Sequence, residues 1–538
     1  MIYNTYHSMN SFDNFRQTSS PDISITVKTE TAKKISLFSA ITIVIGAIVG
    51  SGVFFKNIGV FKENHGNAYG IVLSWVIATV IALATAYTYG EITRAKTKTA
   101  NSGLAGWSER YVGYKFSRFL KIIYGLFLYP IYIMATSIFC AEAILNCNPD
   151  WAGTESGINT SFWYVILIAL VIVTVLIFLN LACKTFSNKL AKYTTLIKFI
   201  PSALVIVLGI TLGCLKPENN LFIHPESFNP GSGIIDDKNG KFDFLGVLNS
   251  LPGIMFAFDS FLIIGNVAKD IKNPKKNIPL SIIISLGVSG ILYLLITIGF
   301  CCSGQSQPYK LIEVLCQDNK ALNTAMKIII SSLLFICILG VLNSFLIGGT
   351  GAVQTLVNEE IMVGTKTINK IFNGKPEHHK DWILLFSVFF IYFLIISIPS
   401  GILSTDQMYD GFTSVIPTFS FMIFAFVAIM SVVNRKTQRV PVSEVSYQKF
   451  QKTAAIISAI GCFGINLYGM FYQFLIRTIL TPSDNSSWGL FYHNPTTLNL
   501  YQATIVFWIA AITFIGIPFL NDLLIKCTNK NYQQKLLV

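Results

Sequence analysis

The sequence predicts an all-α membrane protein with about twelve transmembrane helices. Three observations carry that expectation. The 538 residues are 52% hydrophobic and only 12% charged, well below the roughly 25% charge of soluble domains. Apolar runs long enough to cross a bilayer, about 20 residues each, recur along the chain. Two of these runs, the first and the sixth, are interrupted by glycine, proline or a carboxylate where an uninterrupted helix would be expected.

The polar segment 1–35 precedes the first run and lacks an apolar core followed by a small-residue cleavage site, so the first span is expected to stay in place. Hydropathy then places spans near 36–58, 68–91, 116–145, 161–181 and 189–214, a first group of five. An extracytoplasmic loop, 215–245, separates them from spans near 246–269, 278–303, 324–357, 382–398 and 408–434. A basic loop, 435–452, leads to two further spans near 453–476 and 501–525, and 526–538 forms a second tail. The eighth run is too long for a single perpendicular crossing and implies tilt or projection.

The net charge of +13 is accounted for by topology and gives no reason to invoke nucleic acid. With the N-terminus inside, the tails, the even-numbered loops and the span ends beside them carry 31 of the 40 Lys and Arg. That bias is the positive-inside pattern and predicts a multi-pass protein of the cell membrane with both termini cytoplasmic. The ten cysteines show no metal-ligand spacing, and Cys301 or Cys302 with Cys316 is the one pairing considered for a disulfide. Sequons stand at Asn159 and Asn485. No cofactor, no metal site and no catalytic residue is expected. The chain has no GxxxxGK[ST] loop for nucleotide-driven pumping, so it is not read as an enzyme.

The first span contains Ile45-Gly46-Ala47-Ile48-Val49-Gly50-Ser51-Gly52-Val53-Phe54. Glycine weakens a helix by about 1 kcal/mol relative to alanine, and bare backbone at membrane depth is tolerated where it lines a cavity. One reading is a broken helix that holds a small polar ligand. The other is a small-xxx-small face, Gly46 to Gly50, for close helix packing. Five spans later comes Leu251-Pro252-Gly253-Ile254-Met255-Phe256-Ala257-Phe258-Asp259-Ser260-Phe261, with a carboxylate deep in the apolar run. Intramembrane ionisable residues are costly and usually functional. The paired interruptions favour a binding site.

At these residues the chain resembles the amino acid–polyamine–organocation permeases. Gly-Ala-Ile-Val-Gly-Ser-Gly-Val-Phe is similar to that family's broken first helix. Asn266 to Pro279, containing Ile271-Lys272-Asn273-Pro274-Lys275-Lys276-Asn277-Ile278-Pro279, is similar to its "AEEIKNPKKNIP" signature. Tyr89-Gly90-Glu91, Ser102-Gly103 and Trp107-Ser108-Glu109-Arg110 resemble the end of its second helix and the loop after it. The resemblance implies a five-plus-five inverted repeat, 36–214 and 246–434, with helices 1 and 6 broken and two accessory helices at 453–525. It also implies amino acid transport by alternating access, as proton symport or exchange.

In that picture the backbone of Ile48, Val49, Gly50, Ser51 and Gly52 receives the substrate carboxylate. The carbonyls of Phe256, Ala257, Phe258 and Asp259 receive the ammonium. Phe256, Phe258 and Phe261 are candidate gate or pocket walls. For Asp259 three roles stay open: cap of the second half-helix, substrate contact, or proton coupling. Lys198 is similar to a lysine that some proton-coupled members carry where sodium-coupled relatives bind a cation, and it is the candidate coupling residue; snorkelling to the membrane edge is its rival role. The expected partners are an amino acid, protons and the lipid bilayer. A polyamine, nucleobase or other organic amine as cargo remains open, as does a non-transporting nutrient sensor or a subunit that needs a partner chain.

Overall fold

The computed structural model describes residues 34–50, 52–97, 103–145, 152–153, 157–158, 161–183, 186–228, 240–317, 319–445, 447–480, 482 and 500–528. The described part of Ile35–Val538 forms one compact unit. Among its described residues twelve helices are long and apolar enough to cross a membrane. The extended pairings among the described residues are a two-residue ladder, Ala152–Gly153 against Gly157–Ile158, and an isolated bridge between Ile35 and Ile271.

The spans follow the apolar runs closely. Span 1 is two helices, Leu37–Ile48 and Gly52–Glu63, and reaches five residues further than hydropathy suggested. Spans 2, 3 and 4 are Ala68–Ile92, Tyr114–Leu145 and Phe162–Ala182. Span 5 comprises Phe186–Ile197 and Phe199–Leu215, with Lys198 between them in helical backbone (φ −57°, ψ −27°). Span 6 is Phe244–Phe258 followed by a 3₁₀ segment, Phe261–Asp270. Spans 7 to 10 are Pro274–Ser303, Lys320–Asn358, Glu377–Leu403 and Gln407–Thr437. Spans 11 and 12 are Gln451–Leu480 and Leu500–Thr528.

Span n packs against span n+5 for the first four pairs: 1 on 6, 2 on 7, 3 on 8 and 4 on 9. This is the arrangement that a five-plus-five repeat requires. Span 3 is the central post, buried along nearly its whole length. By contrast, span 4 turns Trp163, Leu167, Val171, Val175 and Phe178 outward as one exposed apolar face. A continuous apolar stripe of that kind is a lipid-facing surface in a chain with this hydropathy.

Both accessory spans pack on span 10 and each reaches a different set of further spans. Span 11 packs on spans 2, 6 and 10, with Tyr468 Oη donating to Asn249 Oδ1 at 2.9 Å and Arg477 Nη1 3.2 Å from Glu63 Oε1. Span 12 packs on spans 3 and 10. Its Asp522 pairs with Arg118 at 2.5 Å, and Asn521 bonds the backbone of Ile361 and Val363 in the loop after span 8. The two accessory helices are joined by Thr478–Thr504 at 2.6 Å and by the stacked rings of Phe474 and Phe507, 3.9 Å apart.

None of the described cysteines is in a disulfide; Cys301, Cys302 and Cys316 are all free, so the pairing considered from sequence is absent. Asn159 and Asn485 lie outside the described residues.

Candidate functional site

The two interruptions become two breaks that meet. The helix Leu37–Ile48 stops at Val49, whose backbone turns extended (φ −74°, ψ 105°), and the chain resumes as helix at Gly52. Span 6 stops at Asp259 (φ −68°, ψ 170°), and Ser260 takes a left-handed conformation at φ 69°. A non-glycine residue pays for that conformation. The break therefore falls at Asp259–Ser260, and Phe256, Ala257 and Phe258 remain the last helical turn instead of being unwound. Their carbonyls lie in the turn whose C=O groups lack intrahelical partners.

The span 1 glycines coincide both with a helix break and with close helix packing. A Cβ on Gly52 would lie 3.0 Å from Ala257 Cα, one on Gly46 would lie 2.7 Å from Thr195 Oγ1, and one on Gly50 would overlap the Val341 side chain. The glycines thus allow spans 5, 6 and 8 to close on span 1, and the same small residues leave the backbone bare at the break.

A cavity lies at this junction, with about 350 Å³ of empty space including its open part. Ile48, Gly50 and Gly52 line it from span 1, Phe256, Ala257, Asp259 and Ser260 from span 6. Tyr132 and Thr136 of span 3 and Val341 and Phe345 of span 8 close it. The Tyr132 and Phe345 rings stack with centroids 4.6 Å apart. Asp259, only 6% exposed, accepts from the Tyr132 hydroxyl through Oδ2 and from the Ser260 N–H through Oδ1 at 2.6 Å. The 3₁₀ segment after it is not capped by a side chain.

Not every residue singled out from sequence reaches this cavity. Val49 is buried and absent from its wall. Phe258 packs with Trp75 and Tyr293, and Phe261 with Tyr89 and Phe424. Only Phe256 of the three aromatics is a wall. Ser51 lies outside the described residues. Asn343 bonds Ser187 in span 5, and Ser344 bonds Gly340 one turn back. Glu91 pairs with Arg435 at 2.9 Å.

Lys198 sits between the two helical stretches of span 5, 1% exposed, with its ammonium donating to the Gly46 carbonyl of span 1. Its stem lies against span 8, where a Cβ on Gly340 would be 3.1 Å from Lys198 Cε. Burial to this degree is incompatible with a head group snorkelling into water.

Two tyrosines of this site have no sequence signal. Tyr132 arrives from span 3 as one aromatic among many. The hydroxyl of Tyr293, in span 7, stands 2.9 Å from Ile48 O and 3.1 Å from Ala257 O. It shares one proton between the free carbonyls of both broken helices and so ties the two breaks together.

Broken helices in corresponding positions of two repeats, meeting at a buried cavity, define a membrane transporter of the inverted-repeat class. The chain belongs to the amino acid permease family, whose model matches residues 35–514. It is 22% identical over 484 residues to an uncharacterized protein of Mycoplasma pneumoniae, covering 80% of this chain and 83% of that one. It is 27% identical over 279 residues to the glutamate/serine transporter AimA of Bacillus subtilis, covering 50% of this chain and 47% of that one. The serine/threonine exchanger SteT of the same organism is 28% identical over 269 residues, 49% of this chain and 53% of its own. The chain thus spans about half the length of these two named transporters.

Proposed function

We propose that the protein is a secondary active transporter that moves amino acids across the cell membrane by alternating access. The observation that carries this reading is the single cavity lined by both helix breaks. Gly52 begins a helix whose free N–H groups and positive dipole end suit a carboxylate. Phe256 to Phe258 end a helix whose last carbonyls, each able to accept a second hydrogen bond, and whose negative dipole end suit an ammonium. The bundle of spans 1, 2, 6 and 7 rocks against the other spans, with the basic loops and both termini on the cytoplasmic side. Relatives named as a glutamate/serine transporter and a serine/threonine exchanger support amino acids as cargo over nucleobases.

Lys198 supports a sodium-independent mode, because its ammonium already places a positive charge between spans 1, 5 and 8. Its role in proton coupling follows from that placement. The test is uptake of labelled amino acids into proteoliposomes under a proton gradient, under a sodium gradient, and with unlabelled amino acid preloaded. Saturable uptake driven by protons or by preloading is the expected result, with sodium adding nothing. Correctly inserted protein that binds amino acids without flux would instead indicate a sensor or a subunit awaiting a partner.

A further inference from the structure

The charges around the cavity exceed what a neutral amino acid needs. Gly52 brings the positive end of the second half-helix of span 1 to the cavity, and Ala257 brings the negative end of the first half-helix of span 6. Each end is worth about half an elementary charge, so the two ends by themselves match a zwitterion's carboxylate and ammonium. Asp259 is surplus to that match. Its hydrogen-bond donors, Tyr132 and the Ser260 N–H, are neutral. Among the described residues no Lys, Arg or His forms an ion pair with it. Lys56, whose Nζ is 5.0 Å from the centre of the Phe256 ring, does not line the cavity. Taking a carboxylate out of water without a cation is expensive.

A second, larger opening begins on the far side of Asp259. Asp259 and Ser260 line both spaces, and the second holds about 640 Å³ including its open part. Tyr124, Tyr129 and Phe424 form aromatic walls. A π-helical turn, Tyr124–Leu128, puts the first two there: the Tyr129 N–H donates to Tyr124 O, five residues back, and the two rings meet edge-to-face with centroids 6.0 Å apart. Lys121 also lines this opening, with its ammonium 2.7 Å from Glu359 and 3.7 Å from Glu109, so its charge is offset by carboxylates that do not line the opening themselves. The Asp259 carboxylate beside these aromatic faces is an environment for a cation.

We propose that the cargo is a cationic amino acid, whose side-chain ammonium or guanidinium passes Asp259 into the tyrosine-lined opening. The proposal rests on the transport reading above and adds the charge class of the substrate.

Charged and uncharged pairs of similar length test it in proteoliposomes holding the full chain: lysine against norleucine, ornithine against norvaline, arginine against citrulline. The cationic member of each pair should show kcat/KM at least about tenfold higher, because a site built for a charged group penalises the analogue lacking it. Equal or reversed preference with robust uptake overturns the charge class and leaves amino acid transport standing. Absence of flux for every amino acid overturns both readings. Asp259→Glu should keep the cationic preference and Asp259→Asn should collapse it to within about twofold, each variant being checked for a monodisperse profile in detergent. An Asp259→Asn protein that loses proton-driven uptake yet still prefers lysine over norleucine by the original ratio overturns the proposal, since Asp259 would then serve the proton.

Discussion

Gly50 and Tyr293 show how a single residue sets the breaks. A side chain at Gly50 would run into Val341 of span 8, so Gly50→Val must push spans 1 and 8 apart at the cavity wall. Displacement of about 1 Å at a reacting or binding site costs on the order of 100-fold, and uptake by Gly50→Val should fall by about that much with membrane insertion unchanged. Adding Val341→Ala should recover part of the loss, since it removes the overlapping methyls; kinetics of the single and double variants check this. Tyr293→Phe frees the Ile48 and Ala257 carbonyls. Losing one buried hydrogen bond is worth about 1–3 kcal/mol, so a rise in KM of about tenfold is expected, and an unchanged KM would show that the hydroxyl does not hold the breaks together.

At the scale of elements, the informative helices are those that are not regular. In span 5, Lys198 lies between two helical stretches and delivers its ammonium to Gly46 while the stem lies beside Gly340. Lys198→Ala is expected to flatten the pH dependence of uptake, and a pH profile identical to wild type would remove Lys198 from coupling. At the end of span 8, Glu359 shares Lys121 of span 3 with Glu109, and the three side chains are 18%, 4% and 11% exposed. Removing the lysine leaves two part-buried carboxylates facing one another. Breaking a buried pair costs about 3–5 kcal/mol, so Lys121→Ala should lower the thermal melting point in detergent, and Lys121→Arg should restore most of it.

Across the whole molecule, the accessory helices contact parts that the proposed transport cycle moves relative to each other. Span 11 holds spans 1 and 6 through Glu63–Arg477 and Asn249–Tyr468, whereas span 12 holds span 3 and the loop after span 8 through Asp522 and Asn521. The pair therefore touches both the bundle proposed to rock and the spans proposed to support it. A partly exposed ion pair contributes up to about 1 kcal/mol, so Arg477→Ala should change kcat by no more than about fivefold and leave KM nearly unaltered, as uptake kinetics would show. Much of this architecture was legible beforehand. Hydropathy placed all twelve spans, because crossing a bilayer demands a long apolar run whatever the fold. Gly50 to Gly52 and the buried Asp259 marked the two breaks, because bare backbone and a carboxylate are both costly in lipid. The partners of those breaks were not legible: Tyr132, Tyr293, Val341 and Phe345 sit in spans that are apolar on every side, where periodicity does not tell which face meets a cavity. The π-helical turn at Tyr124–Leu128 shifts that face by one further residue. Sequence alone thus determined which helices cross and where two of them fail, since those follow from local solvation. Which side chains converge on the failures was decided only by tertiary packing, since contacts between separate spans leave no trace in local periodicity.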